Sequence, residues 1–252
     1  MFKVGDYVTR KSHNNDIVFR IVNISNNIVY LSGVDVRLHA DSLMSDLVIS
    51  HVDDSDRDNV ITDSLFNDLN LDRLNFFYLP GSILHLDSDE NYLKRSKKFY
   101  EKMNVKAYLE FLKESDMEGQ VYSLLSKYKP DILVITGHDA YLKDKTYENS
   151  SYFIKTVLKA REYEKSHDKL IIIAGACQSD YEDLIKAGAN FASSPKRTNI
   201  HALDPAIIAS SVSLSEKNKE IDLINLLKKT KYGPDGIGGI ITNGTMYVGY
   251  PR

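Results

Sequence analysis

Apolar positions fall into two patterns along the chain. Up to about residue 50 they come in short alternating runs. Phe2 to Thr9 alternates around a turn, and Asp16 to Ile24 carries Ile17, Phe19 and Ile21, with Val18, Val22 and Ile24 out of step. Asn26-Asn27 signals a turn before Ile28-Val29-Tyr30-Leu31, and Val34 to Leu38 offers a further strand. Short strands, tight turns and no helical period predict a small SH3-like β-barrel, with partner docking or packing as its plainest role. Residues 50 to 63 are acidic and polar, as in a linker. Residues 64 to 79 predict an amphipathic segment through Leu65, Phe66, Leu69, Leu74 and Phe77, closed by Pro80-Gly81.

From residue 82 strands and helices alternate. Strand patterns cover Ser82–Asp87, Val105–Phe111, Asp131–Thr136, Leu170–Ala174 and Ala189–Ala192; helical patterns cover Glu90–Met103, Gln120–Tyr128, Ser151–Tyr163 and Asp180–Ala187. Continuous apolar strands separated by helices predict a parallel sheet covered on both faces. Further helices are expected from Asp204-Pro205 and over Glu220–Lys229. Gly233, Gly236, Gly238, Gly239 and Gly244 then predict a flexible loop leading into a terminal hairpin. The expected organisation is a barrel over 1–50, a linker and helical segment over 51–80, and an α/β domain over 81–252.

Composition narrows the function. A net charge of −3 gives no electrostatic footprint for nucleic acid or an anionic membrane. There is no signal peptide and no run long enough to span a bilayer, so membrane insertion is not expected. A single cysteine cannot form an internal disulfide, which points to a reducing, cytoplasmic setting. No metal or cofactor is expected. The histidines lack ligand spacing, one cysteine cannot build a multi-cysteine zinc site, and glycine-rich phosphate motifs are missing.

Two of the strand patterns end alike. One runs into Gly137-His138-Asp139, the other into Gly175-Ala176-Cys177-Gln178-Ser179. Right-handed crossovers gather the C-terminal ends of parallel strands at one edge, where catalytic groups collect. There Cys177 could act as nucleophile and His138 as base or acid. A helix close behind Cys177 would stabilise its thiolate. The plainer alternatives are a buried inert thiol and a hydrogen-bonded rim histidine. His85, inside a strand, is expected to pack, and His201 to line the cleft.

Thr136-Gly137-His138 and Gly175-Ala176-Cys177 resemble the signature of the caspase-type (clan CD) cysteine peptidases, which include legumain, clostripain and gingipain. That resemblance implies a parallel caspase-like sheet with the dyad histidine ending strand 3 and the cysteine ending strand 4. Where those families usually place a glycine after the histidine, this chain has Asp139, and the main-chain N–H groups of Asp139 and Cys177 are candidate oxyanion donors. A second resemblance spans nearly the whole chain. Val8-Thr9-Arg10-Lys11-Ser12, Gly33 to Leu38, Thr136 to Tyr141, Ala174 to Ser179 and Ala192 to Arg197 are similar to the YabG family of sporulation-specific proteases from spore-forming Firmicutes. The family implies a peptidase of the mother-cell cytoplasm, associated with the spore coat, that trims coat and related proteins after basic residues, chiefly arginine.

An arginine side chain in the first specificity pocket calls for a carboxylate. In the caspase-like strand order strand 1 lies beside strand 3, so Asp87 and then Asp89 are the expected pocket acids. Asp139 and Asp180 are the rivals, and helix capping is the alternative role for Asp87 to Glu90. Two other classes stay open: a glutamine-amidotransferase-like thiol hydrolase, whose histidine would be His201, and a non-enzymatic coat scaffold.

Overall fold

A computed structural model describes residues 2–51, 62–63, 65, 71 and 73–251. The chain divides into two units, Met1–Arg57 and Asp58–Arg252. In the first, β1 (Tyr7–Arg10), β2 (Phe19–Ser25), β3 (Ile28–Gly33), β4 (His39–Leu43) and β5 (Leu47–Ile49) form an antiparallel sheet of order β4-β3-β2-β1-β5. Val8, Phe19, Ile21, Val29, Leu31 and Leu47 form its buried cluster. The out-of-step residues of β2 have a structural cause. The register shifts between Ile21 and Asn23, so Ile24 packs with Ile21 three positions on rather than two. Val34 to Leu38 is not a strand but a turn, closed by the Gly33 N–H on the Leu38 carbonyl at 2.7 Å.

In the second unit β6 (Phe77–Leu79) pairs with β13 (Tyr247–Gly249). The amphipathic segment expected over 64–79 therefore ends in a strand. Part of that segment, and most of the linker before it, lies outside the described residues. The main sheet has the order β12-β11-β10-β9-β7-β8. Its members are β7 (Ile83–Asp87), β8 (Ala107–Phe111), β9 (Ile132–Thr136), β10 (Ile171–Ala174), β11 (Phe191–Ser193) and β12 (Ile237–Gly239). All pairings are parallel except β11–β12.

Helices cover both faces, which is why the strands read as unbroken apolar runs. Ile83, Ile132, Val134, Ile171 and Ile173 pack with Phe99, Tyr100 and Met103 around α1 (Glu90–Lys102) and with Ala206 to Val212 of α5 (Asp204–Ser213). The alternate residues Leu84, Leu86, Leu133, Ile135, Ile172 and Ala174 pack with Met117 and Val121 of α2 (Glu114–Tyr128). The same cluster holds Phe153 and Val157 of α3 (Ser150–Tyr163) and Leu184 of α4 (Tyr181–Ala187). α6 (Leu223–Leu227) is shorter than its sequence pattern, starting at an Asp222 cap.

The glycine-rich stretch is an edge strand, not a flexible loop. A Cβ on Gly239 would lie 2.5 Å from the Phe191 ring, and one on Gly238 would lie 2.7 Å from the Tyr181 hydroxyl. These glycines let β12 approach β11 and α4 closely. The hairpin expected after them does not form, since β13 pairs with β6 instead.

Arg161, on α3, ties the N-terminal side of the sheet together. It donates to the carbonyls of Gly188, Glu164, Ser166 and Leu170 and to Asn190 Oδ1. Burial lowers its pKa to about 10, with Glu164 opposing. Arg161→Met should cost roughly 2–4 kcal/mol in urea unfolding, because it leaves four partly buried carbonyls without this donor.

Candidate active site

The sheet sets the site. β9 and β10 are adjacent and parallel, with Ile135 paired to Ala174. His138 follows Ile135 by the same step as Cys177 follows Ala174, so equal offsets carry both side chains past the C-terminal edge.

His138 is anchored three ways. Its N–H donates to Glu114 Oε1 at 2.9 Å, its carbonyl accepts from Asn149 Nδ2 at 3.0 Å, and its ring Nε2 lies 3.1 Å from Asp89 Oδ2. The ring also sits against Tyr92 of α1, centroids 5.9 Å apart. Gly137 makes the main-chain anchor possible. A Cβ there would stand 2.6 Å from both Glu114 Oε1 and Ser88 Oγ, which are bonded to each other.

Cys177 is fully buried. Its Sγ receives the Ile200 N–H at 3.3 Å and faces the Ile200 carbonyl at 3.8 Å. The turn before it needs Gly175 at φ +107°, a left-handed conformation with little room for a side chain. The turn after it is held by the Gln178 N–H on Ser194 Oγ at 2.8 Å and on the Thr198 carbonyl at 3.1 Å. The helix expected after Cys177 is present. α4 begins only at Tyr181, has seven residues, and is capped by the Asp180 carboxylate on the Asp183 N–H.

Asp139 joins the two loops. Buried beside His138, its Oδ1 accepts the N–H groups of Ala140 at 2.9 Å and Asn149 at 2.8 Å. Its Oδ2 accepts the hydroxyls of Ser150 and of Ser179, the latter at 2.9 Å. Ser179 Oγ in turn accepts the Ala176 N–H at 2.8 Å, and Ser150 Oγ accepts the Asp180 N–H at 2.8 Å. The residue after the histidine is thus connected to the residue before the cysteine through one serine.

Asp87 and Asp89, the expected pocket acids, are both engaged inside the protein. Asp87 is fully buried, accepting the Thr136 hydroxyl on Oδ2 and the Asp89 N–H on Oδ1, both at 2.9 Å. Asp89 caps α1 through Oδ1, which accepts the N–H groups of Asn91 and Tyr92, while its Oδ2 meets His138. Both carboxylates serve internal partners. His85 packs as expected, between the Tyr100 hydroxyl at 3.0 Å and Thr136 Oγ1 at 2.8 Å. His201 is buried, and its Nδ1 accepts the Leu203 N–H at 3.2 Å. Glu114, Asn149, Ser150, Ser179, Ser194 and Ile200 escaped sequence reading. Asn149-Ser150 at the head of a helical pattern was the one available signal, and it suggests a cap rather than a brace.

The second unit is thus an α/β protein whose mostly parallel sheet is followed, at two adjacent strand ends, by a histidine and a cysteine. The family model described as YabG peptidase U57 matches residues 3–73 and 62–251. The sporulation-specific protease YabG of Bacillus subtilis (strain 168) is 42% identical over 284 residues, covering 99% of this chain and 98% of its own. No solved structure matches. The chain belongs to the YabG peptidase family, and is by that membership a sporulation-associated peptidase. Among the described residues no helix is long and apolar enough to cross a membrane.

Burial pushes the Asp139 carboxyl above the ordinary value of 3.8, opposed by the Ser150, Asn149, Ser179 and Ala140 donors. With its folded pKa raised, this group's contribution to stability is full below the ordinary value and falls as pH rises through the folded one. Asp139→Asn cannot ionise, so its stability deficit should shrink as pH rises above the ordinary carboxyl value of 3.8 in urea titrations. Asp139→Ala should cost roughly 3 kcal/mol or more, since four donors lose their acceptor.

Proposed function

We propose that this protein is a cysteine endopeptidase working through a Cys177–His138 dyad on a caspase-like core. The observation that carries the reading is the equal offset of His138 and Cys177 from the paired residues Ile135 and Ala174. The strand order supports the caspase-like core, because β7 lies beside β9 and the histidine and cysteine follow β9 and β10. We read the N-terminal antiparallel sheet as SH3-like.

In this mechanism the Cys177 thiol gives its proton to His138 and the thiolate attacks the scissile carbonyl, forming the S–C bond and an oxyanion. The main-chain N–H groups of Asp139 and Cys177 are the proposed oxyanion donors. The C–N bond then breaks, and the His138 proton goes to the departing amine. His138 next takes a proton from water, which attacks the thioester; the S–C bond breaks and the thiol is restored. Because Sγ is buried under the segment that carries Ile200, substrate entry requires that segment to move.

The substrates are proteins of the spore coat and its surroundings, cut after arginine, with the enzyme made in the mother-cell cytoplasm. Family resemblance supports this part of the reading. For the pocket acid we carry forward Asp180. It follows Cys177 closely and is half-buried, with a hydrogen bond to the Asp183 N–H.

Purified protein with arginyl and lysyl fluorogenic peptides tests the reading. Cleavage after arginine should fall at least about 10³-fold in both Cys177→Ala and His138→Ala. Cleavage that survives His138→Ala but needs His201 would instead identify an amidotransferase-like enzyme. Asp180→Asn keeps the α4 cap but not the charge. It should raise KM for arginyl peptides roughly tenfold with little change in kcat, and an unchanged KM removes Asp180 from the pocket.

A further inference from the structure

We infer that Asp89 is the positioning residue of His138, fixing which ring nitrogen carries the proton. The inference rests on the dyad reading above for the role of His138. Its geometry stands independently.

Asp89 Oδ2 lies 3.1 Å from His138 Nε2, and both side chains are largely buried, at 10% and 19% exposure. An ionised carboxylate can only accept a hydrogen bond, so neutral His138 carries its hydrogen on Nε2. Nδ1 is then the nitrogen that exchanges the proton with the thiol and the leaving amine. Asp89 is itself held on every side. Its Oδ1 is taken by the α1 cap, at 2.8 Å from the Asn91 N–H and 3.2 Å from the Tyr92 N–H. Its own N–H is fixed by buried Asp87, which the Thr136 hydroxyl locks to the end of β9. Tyr92, on the turn that Asp89 caps, packs on the His138 ring. One residue therefore starts α1, aims the imidazole and sets its tautomer.

The capping bonds make Asp89→Asn a decisive variant. Asparagine is as good an N-cap as aspartate, so the fold and thermal stability should be kept. The cap holds the amide oxygen at the position of Oδ1, which turns the NH2 group toward His138 Nε2. That nitrogen must then accept, and the ring is driven to the Nδ1–H form. The ring 15N shifts of neutral His138, measured without substrate, should switch from the Nε2–H to the Nδ1–H pattern. kcat on an arginyl peptide should fall by about 10²–10⁴-fold with KM nearly unchanged, as expected when a base is held in the wrong tautomer.

An unchanged tautomer in Asp89→Asn overturns the inference, even if activity falls, because the loss would then be structural. So does a kcat within about threefold of the parent. The two readings separate cleanly. A parent protein without Cys177-dependent cleavage sinks the peptidase mechanism, while the ring shifts alone still decide what Asp89 does to His138.

Discussion

The buried carboxylate of Asp139 is the interaction on which the site depends. It lies in the loop after β9 and takes four hydrogen bonds, from its own loop, from the start of α3 and from Ser179 behind Cys177. A carboxylate removed from water is tolerated only when its oxygens are met by donors. That requirement makes the site cooperative. Ser150 and Ser179 each use the hydroxyl hydrogen on Asp139 and accept a main-chain N–H, from Asp180 and Ala176 respectively. The loop with the histidine and the loop with the cysteine are thereby one hydrogen-bonded unit, although the residues are far apart in sequence. Shifting either loop would leave a buried charge short of donors.

The rest of the architecture serves that junction. Alternating side chains on β7, β9 and β10 fill two separate apolar layers, which fixes the register that gives His138 and Cys177 equal offsets. The loops then receive anchors from elements covering the sheet: Glu114 from α2, Asn149 from the head of α3, and Asp89 from the head of α1. Cys177 is supported differently, by Ser194 and by the segment through Thr198 and Ile200. His138 is held from within the core, whereas the Cys177 sulfur is covered by a long connection between β11 and α5. In the proposed mechanism, a firmly held histidine and a covered thiol suit an enzyme that exposes its sulfur only as substrate enters.

The core strands were legible because burial on both faces leaves unbroken apolar runs, and the placing of His138 and Cys177 after adjacent strands because strand ends in a parallel sheet are a short list of places. What sequence could not supply is pairing over distance. Asp89 was recognisable as an acid near the cleft, but only the fold shows its carboxylate divided between a helix cap and His138. Asp87 reads as a pocket acid at the end of a strand yet lies buried with Thr136. Glycines carry the same ambiguity. Gly238 and Gly239 read as flexible because their composition is that of a loop, whereas they are small because Tyr181 and Phe191 leave no room. In β2 a one-residue bulge disguised a regular strand as an irregular one.

Membership of the YabG peptidase family gives the chain a protease role in sporulation, and the strand-end pair is the basis of the chemistry proposed for it. The most direct measurement is a crystal structure of the protein after reaction with an arginyl peptide chloromethyl ketone. The account predicts a covalent bond from Cys177 Sγ to the inhibitor. The His138 ring should lie within hydrogen-bond reach of the adduct, still held by Asp89, and the Asp139–Ser179 bond should be intact. Alkylation at another residue, or an adduct on Cys177 with His138 turned away or the Asp139 bridge broken, would contradict it.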